Sequence, residues 1–165
     1  MRFLLGAAAV ALVLDRASKA WVSSHIPLNG RLELVPGWIH LSHVQNHGAA
    51  WSVLAGQRAF LVGFTLVVIV MLALSAREIA RQGAFAATAF GLIVGGALGN
   101  FIDRVFQGSV TDFFDLDTPV AWLRTFPVFN IADSALSVGV VLLLLSMALK
   151  GRRSKTAPQS ADALL

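Results

Sequence analysis

Four apolar stretches dominate the chain: Phe3–Val22, Ala59–Ala76, Phe85–Ile102 and Ile131–Leu149. Crossing the hydrocarbon core of a bilayer takes about 20 apolar residues in helical form. A helix satisfies its own backbone hydrogen bonds there, which an open strand or loop does not. Each stretch approaches that length, so the spacing predicts four membrane helices. Composition agrees. The chain is 56% hydrophobic and 13% charged, with a mean hydropathy of +0.73, against roughly 25% charged residues in a soluble domain. Its 165 residues suit one domain.

The chain has no cysteine, which excludes disulfides, thiolate metal sites and a cysteine nucleophile. The net charge of +4 is not a nucleic-acid footprint, because the basic residues are scattered or flank apolar segments. They serve orientation instead. Arg2 precedes the first stretch, Arg77 and Arg81 join the second to the third, and Lys150, Arg152, Arg153 and Lys155 follow the fourth. By the positive-inside rule, both termini and that link face the cytoplasm. The first stretch resembles a signal peptide only superficially. Asp15-Arg16-Ala17-Ser18-Lys19 provides no A-x-A cleavage site, so a retained helix is expected.

The other two connections, Ser23–Arg58 and Val105–Val128, therefore face outward. In the first, Arg31–Val35 and Trp38–Val44 alternate apolar and polar residues about Pro36-Gly37, which predicts a small β element. The second carries Asp112, Asp115, Asp117 and Trp122, suited to the membrane interface. The polar tail, residues 151–165, is expected to be disordered.

Polar residues inside this apolar chain mark candidate chemistry, since charge near the bilayer core costs several kcal/mol. Asn100, Asp103 and Arg104 fall at i, i+3 and i+4, on one helical face. Arg104 offsets Asp103 in part and suits the headgroup level. Gly91, Gly95 and Gly99 form a small-residue stripe for close helix approach. Asn130 and Asp133 open the fourth stretch, either as helix cap and first-turn acid or as site residues. Residues 105–128 can fold Asp112 back beside Asp133. Two close carboxylates share a proton, so one activates water while the other protonates a substrate carbonyl or leaving amine. Such hydrolysis calls for no metal and no covalent intermediate.

Asp15 and Lys19, four residues apart, can pair on one face of the first helix. Ser18 and Lys19 point in different directions and do not make a Ser–Lys hydrolase. Asn46-His47-Gly48-Ala49-Ala50-Trp51 offers a polar side chain beside small residues, fitting a substrate backbone or an interfacial turn. His40, His43 and His47 do not share one face of a strand and no HExxH occurs, so they read as surface or interfacial residues.

Taken in order, Asp15-Arg-Ala-Ser-Lys19, Asn46-His-Gly-Ala-Ala50, GGALGNFIDR (95–104), Val110-Thr-Asp-Phe113 and FNIADS (129–134) resemble bacterial lipoprotein signal peptidase, or signal peptidase II. The resemblance covers nearly the whole chain. It implies an all-α membrane protein of four transmembrane helices with a small extracytoplasmic β-cradle. Residues 1–150 would form a single membrane-embedded peptidase domain in the bacterial inner membrane, working near the extracytoplasmic face. The implied reaction removes the signal peptide from prolipoproteins immediately before a diacylglyceryl-modified cysteine. Asp112 and Asp133 look like the catalytic pair. Asn100, Arg104 and Asn130 would orient them or the substrate, with Asp103 supporting. Asp15, Lys19, Asn46 and Gly48 would complete the site or its surroundings. The expected partners are the lipidated precursor and membrane lipid, with no cofactor, metal or nucleic acid, and the enzyme is expected to be a monomer. Trp51, Arg16 and Thr111 depart from the residues common in the family, which bears on substrate preference.

Two other classes fit less well. A proton-coupled transporter could use Asp15, Lys19, Asp103 and Asp133 as a relay, but no paired repeat or broken helix is visible. A scaffold built on the glycine stripe leaves the grouped Asn and Asp residues without purpose.

Overall fold

The computed structural model describes residues 1–48 and 54–156, with side chains described as far as residue 150. The apolar stretches become long helices. They are α1 (Arg2–His25), α2 (Arg58–Arg81), α3 (Ala84–Phe106) and α5 (Ile131–Thr156). Each exceeds the apolar run that predicted it, because charged ends continue the helix beyond the greasy part. In the link between α2 and α3, Arg77, Glu78 and Arg81 are still helical, and only Gln82 and Gly83 turn. At the other end, α5 runs on to Thr156. The rest of that tail, residues 157–165, lies outside the described residues.

Among the described residues three helices, α2, α3 and α5 as far as Lys150, are long and apolar enough to cross a membrane. The 24-residue α1 has the length, but Asp15, Arg16 and Lys19 interrupt its apolar run. Asp15 and Lys19 are buried inside the bundle, while Val10, Val13 and Leu14 point outward. Phe64, Val67, Met71 and Leu74 of α2 are likewise exposed and apolar. An apolar exterior around a polar interior is the inverse of a soluble fold and matches lipid as the solvent.

The central helix is α3, packed against α1, α2 and α5. Its glycines set the approach. A Cβ on Gly91 would run into the Leu4 carbonyl, and one on Gly95 would lie 2.5 Å from the Ala8 carbonyl oxygen, both on α1. Gly96, one position round the helix, does the same for Ala132 on α5. The stripe of small residues thus serves two neighbours.

Outside the bundle lies a three-stranded antiparallel sheet in the order β1 (Arg31–Val35), β2 (Ile39–Asn46), β3 (Val110–Asp115). The first two strands fall where alternation placed them, about Pro36-Gly37. The third comes from the second outward connection, after Gly108 turns the chain at φ 79°. β3 pairs Val44 with Asp112 and Asn46 with Val110. Its other edge meets Phe129, whose carbonyl accepts from the Phe113 and Phe114 amides at 3.0 and 2.7 Å. Phe113 anchors the strand in a core with Val22, Ile26 and Leu41. A one-turn helix, α4 (Ala121–Arg124), completes the connection.

Candidate active site

The pairing of β3 decides the geometry. With β2 on one edge and Phe129 on the other, it places Asp112 beside the start of α5, where Asp133 stands. Both line one cavity of about 270 Å³, together with Asn46, Asn100, Arg104 and the 126–129 segment.

At that helix start, Asn130 and Asp133 cap each other. Asn130 Oδ1 accepts from the Asp133 amide at 2.9 Å, and Asp133 Oδ2 accepts from the Asn130 amide at 3.1 Å. This reciprocal pair satisfies two otherwise orphaned amides. A third, on Ala132, donates to Asp15 Oδ1 at 3.0 Å. The cap and the site are therefore the same residues rather than competing readings. While its oxygen caps α5, the Asn130 amide nitrogen donates to Asp112 Oδ1 at 2.6 Å. Asn46 Nδ2 donates to Asp112 Oδ2 at 3.0 Å, and Asn46 Oδ1 accepts from the Gly48 amide at 2.9 Å. Asn100 Nδ2 donates to Asp133 Oδ1 at 2.7 Å.

Asn100 has its orientation fixed from behind. Lys19 Nζ donates to Asn100 Oδ1 at 2.9 Å, and Asn130 Nδ2 lies 3.2 Å from the same oxygen. With two donors on its oxygen, the Asn100 amide presents its NH2 to Asp133. Lys19 is held in turn by Asp15 at 2.9 Å and Asp103 at 2.8 Å, all three being fully or almost fully buried. Arg16 also donates to Asp103. Asp15, Arg16, Lys19 and Asp103 together form a neutral four-charge cluster behind the cavity.

Two expectations change here. Asp103 and Arg104 do not offset each other across a shared face. They are consecutive and point about 100° apart on the helix. Asp103 turns to α1 and also accepts from Gln107 Nε2 and the Thr111 amide. Arg104 turns into the cavity and donates to the Gly48 carbonyl at 3.1 Å. The second change is His43, expected at the surface. It is buried, with Nδ1 2.8 Å from the Ile26 carbonyl oxygen. A register shift between Leu41 and Val44 puts Leu41, Ser42 and His43 all inside.

Burial, with the nearby Asp133 charge acting the same way, pushes the Asp112 carboxyl up to about 7. Hydrogen bonds from Asn46 and Asn130 and the charge of Lys19 oppose that rise without cancelling it. Asp133 sits in the first turn of α5 and accepts the Asn130 backbone N–H.

Residues 7–149 match the family described as signal peptidase (SPase) II. The chain belongs to the signal peptidase II family. Among its relatives, the lipoprotein signal peptidase of Syntrophomonas wolfei is 41% identical over 157 residues, covering 94% of this chain and 98% of that one. The lipoprotein signal peptidase of Staphylococcus haemolyticus is 34% identical over 144 residues, covering 87% and 89%. A bacterial membrane enzyme solved by the in meso method at 2.3 Å resolution shares the fold with a TM-score of 0.82. It is 31% identical, across 96% of this chain and 94% of that one.

Within this signal peptidase II chain, the structure brings Asn46, Asn100, Arg104, Asp112 and Asp133 to one cavity. Asn130 bridges the two carboxylates from behind, while Asp15, Lys19 and Asp103 stand one layer further back. Ala49, Ala50 and Trp51 lie outside the described residues. Sequence reading missed several participants. Leu136 and Ser137 line the cavity at i+3 and i+4 from Asp133, so helical spacing alone could have nominated them. The wall from Phe126 to Phe129 carried no such signal. Arg16, singled out only as a departure, is a second cation on Asp103.

Proposed function

We propose that the chain is an aspartyl endopeptidase that removes signal peptides from prolipoproteins, cutting immediately before the diacylglyceryl-modified cysteine. The observation that carries the reading is the placement of Asp112 and Asp133 in one cavity, each held by side-chain amides. Asp112 carries the shared proton at the start of the cycle. Asp133 takes a proton from water as its oxygen bonds to the scissile carbonyl carbon, while Asp112 protonates the carbonyl oxygen. The gem-diol then collapses. Asp112 recovers its proton from a diol hydroxyl and Asp133 delivers one to the leaving nitrogen as the C–N bond breaks. The products are the signal-peptide carboxylate and a free amino group on the modified cysteine. Arg104 and the 126–129 wall position the substrate, and Asp15, Lys19, Asn100, Asp103 and Asn130 hold the carboxylates in place.

In this reading residues 1–150 form one peptidase domain and α1 spans the bilayer with α2, α3 and α5, its charged residues turned inward. Met1 lies beside Arg77 and Arg81, and Lys150 Nζ is 3.4 Å from Gln82 Oε1, so these cations share the end opposite the sheet. That end faces the cytoplasm of a bacterial inner membrane, with both termini. Exposed Trp21, Trp38, Phe106 and Trp122 suit the opposite interface, beside the sheet and the carboxylates. In the same reading the enzyme works as a monomer.

The test is cleavage of a diacylglyceryl-modified precursor and its unmodified counterpart by the purified chain. The modified precursor should be cut at the single bond before its cysteine, at least 100-fold faster than the unmodified one. Equal rates, or cuts elsewhere, would overturn the assignment. The pH profile gives a second check. An acid with its carboxyl raised to about 7 is protonated below that pH and ionised above it. kcat/KM should therefore fall about tenfold per pH unit on the alkaline side of roughly pH 7. A flat profile between pH 6 and 9 would remove Asp112 as the proton donor.

A further inference from the structure

A second cavity, of about 300 Å³, opens at the other end of the bundle between the start of α3 and the end of α5. Its floor is the N-terminus of a 23-residue helix whose N-cap is Gly83, and no side chain caps it. The first helical bond there runs from the Ala87 amide to the Gly83 carbonyl, which leaves the amides of Ala84, Phe85 and Ala86 without helical partners. Ser146 lines the same cavity. It is 6% exposed, and its hydroxyl has no hydrogen-bond partner among the described residues. Lys150 lines the mouth, held among the described residues only by the long contact to Gln82. Uncapped amides, an unpartnered hydroxyl on a buried residue facing the cavity and a lysine supply what a phosphate oxyanion needs, and none of them offers it a negative charge. Phe85 and Leu149 flank the cavity and are exposed, giving apolar chains a surface to follow.

We propose that this cavity binds the phosphate of an anionic phospholipid headgroup, with the acyl chains running along Phe85 and Leu149. Lys150 and the α3 amides hold the charge, and the Ser146 hydroxyl gives the buried hydrogen bond. The site is remote from the carboxylates and does not depend on their role.

Native mass spectrometry of the purified full chain, titrated with phosphatidylglycerol, tests it. One lipid should be retained. Lys150→Ala and Ser146→Ala should each weaken retention about tenfold, the scale of one lost charge-assisted or buried hydrogen bond. Both variants should cleave precursor normally in lipid-free detergent, showing that the fold is intact. Diacylglycerol, which lacks the phosphate, should not be retained. Inorganic phosphate at millimolar concentration should not displace the lipid. Displacement would make free phosphate the ligand and overturn the lipid assignment. Equal retention of diacylglycerol, or of phosphatidylglycerol by the Lys150→Ala and Ser146→Ala variants, would overturn the site itself.

Discussion

Replacing Lys19 by Met should destabilise the chain by about 3–5 kcal/mol, the cost of leaving a buried charge without its partner. Lys19 Nζ touches Asp15, Asp103 and Asn100 within 2.9 Å and is 2% exposed. Without it, Asp103 keeps Arg16 while Asp15 keeps the Ala132 amide and no cation among the described residues. The melting temperature in detergent should drop by about 10 °C for a chain of this size. Activity should suffer as well, because the Asn100 oxygen loses a donor and its NH2 is no longer obliged to face Asp133. Pairing Lys19→Met with Asp15→Asn should recover part of the stability by removing one stranded charge. A melting temperature within 2 °C of the parent would mean that the four-charge cluster does not hold the bundle together.

The larger effect on rate belongs to Asp112 and Asp133. Asp112→Asn and Asp133→Asn should each lower kcat/KM at least 1000-fold, within the range that positioned acid–base groups contribute. The paired substitution should be hardly worse than either alone, since both carboxylates serve one proton relay. Asp103→Asn should act differently. Asp103 lies outside the cavity, bound to Lys19, Arg16 and Gln107. Its substitution should reduce activity and stability together without abolishing turnover.

Much of this was legible in the chain itself. The long apolar runs announced the helices, and their cations announced a common end. Asp15 and Lys19 met, as their four-residue spacing allowed. The glycine spacing pointed to close packing, although it did not reveal that Gly96 serves α5 while Gly91 and Gly95 serve α1. β3 was not legible, because VTDFFD does not alternate. Val110 to Phe113 are all buried, so both faces are filled and the pattern has no polar side. That strand brings Asp112 to Asp133, so the juxtaposition could be expected but not its means. The split between Asp103 and Arg104 depended on which neighbour each side of α3 meets, which is tertiary information. His43 was misplaced for a similar reason, since a bulge in β2 breaks the two-residue rhythm on which a surface assignment rests.

The most direct measurement is single-turnover cleavage of a diacylglyceryl-modified precursor by the purified Asp112→Asn and Asp133→Asn variants, with melting curves as a control for folding. The parent should convert all its substrate in an interval in which neither folded variant gives product above the uncatalysed background. Product from either folded variant at more than one-hundredth of the parent rate would contradict the account that these two carboxylates carry out the hydrolysis.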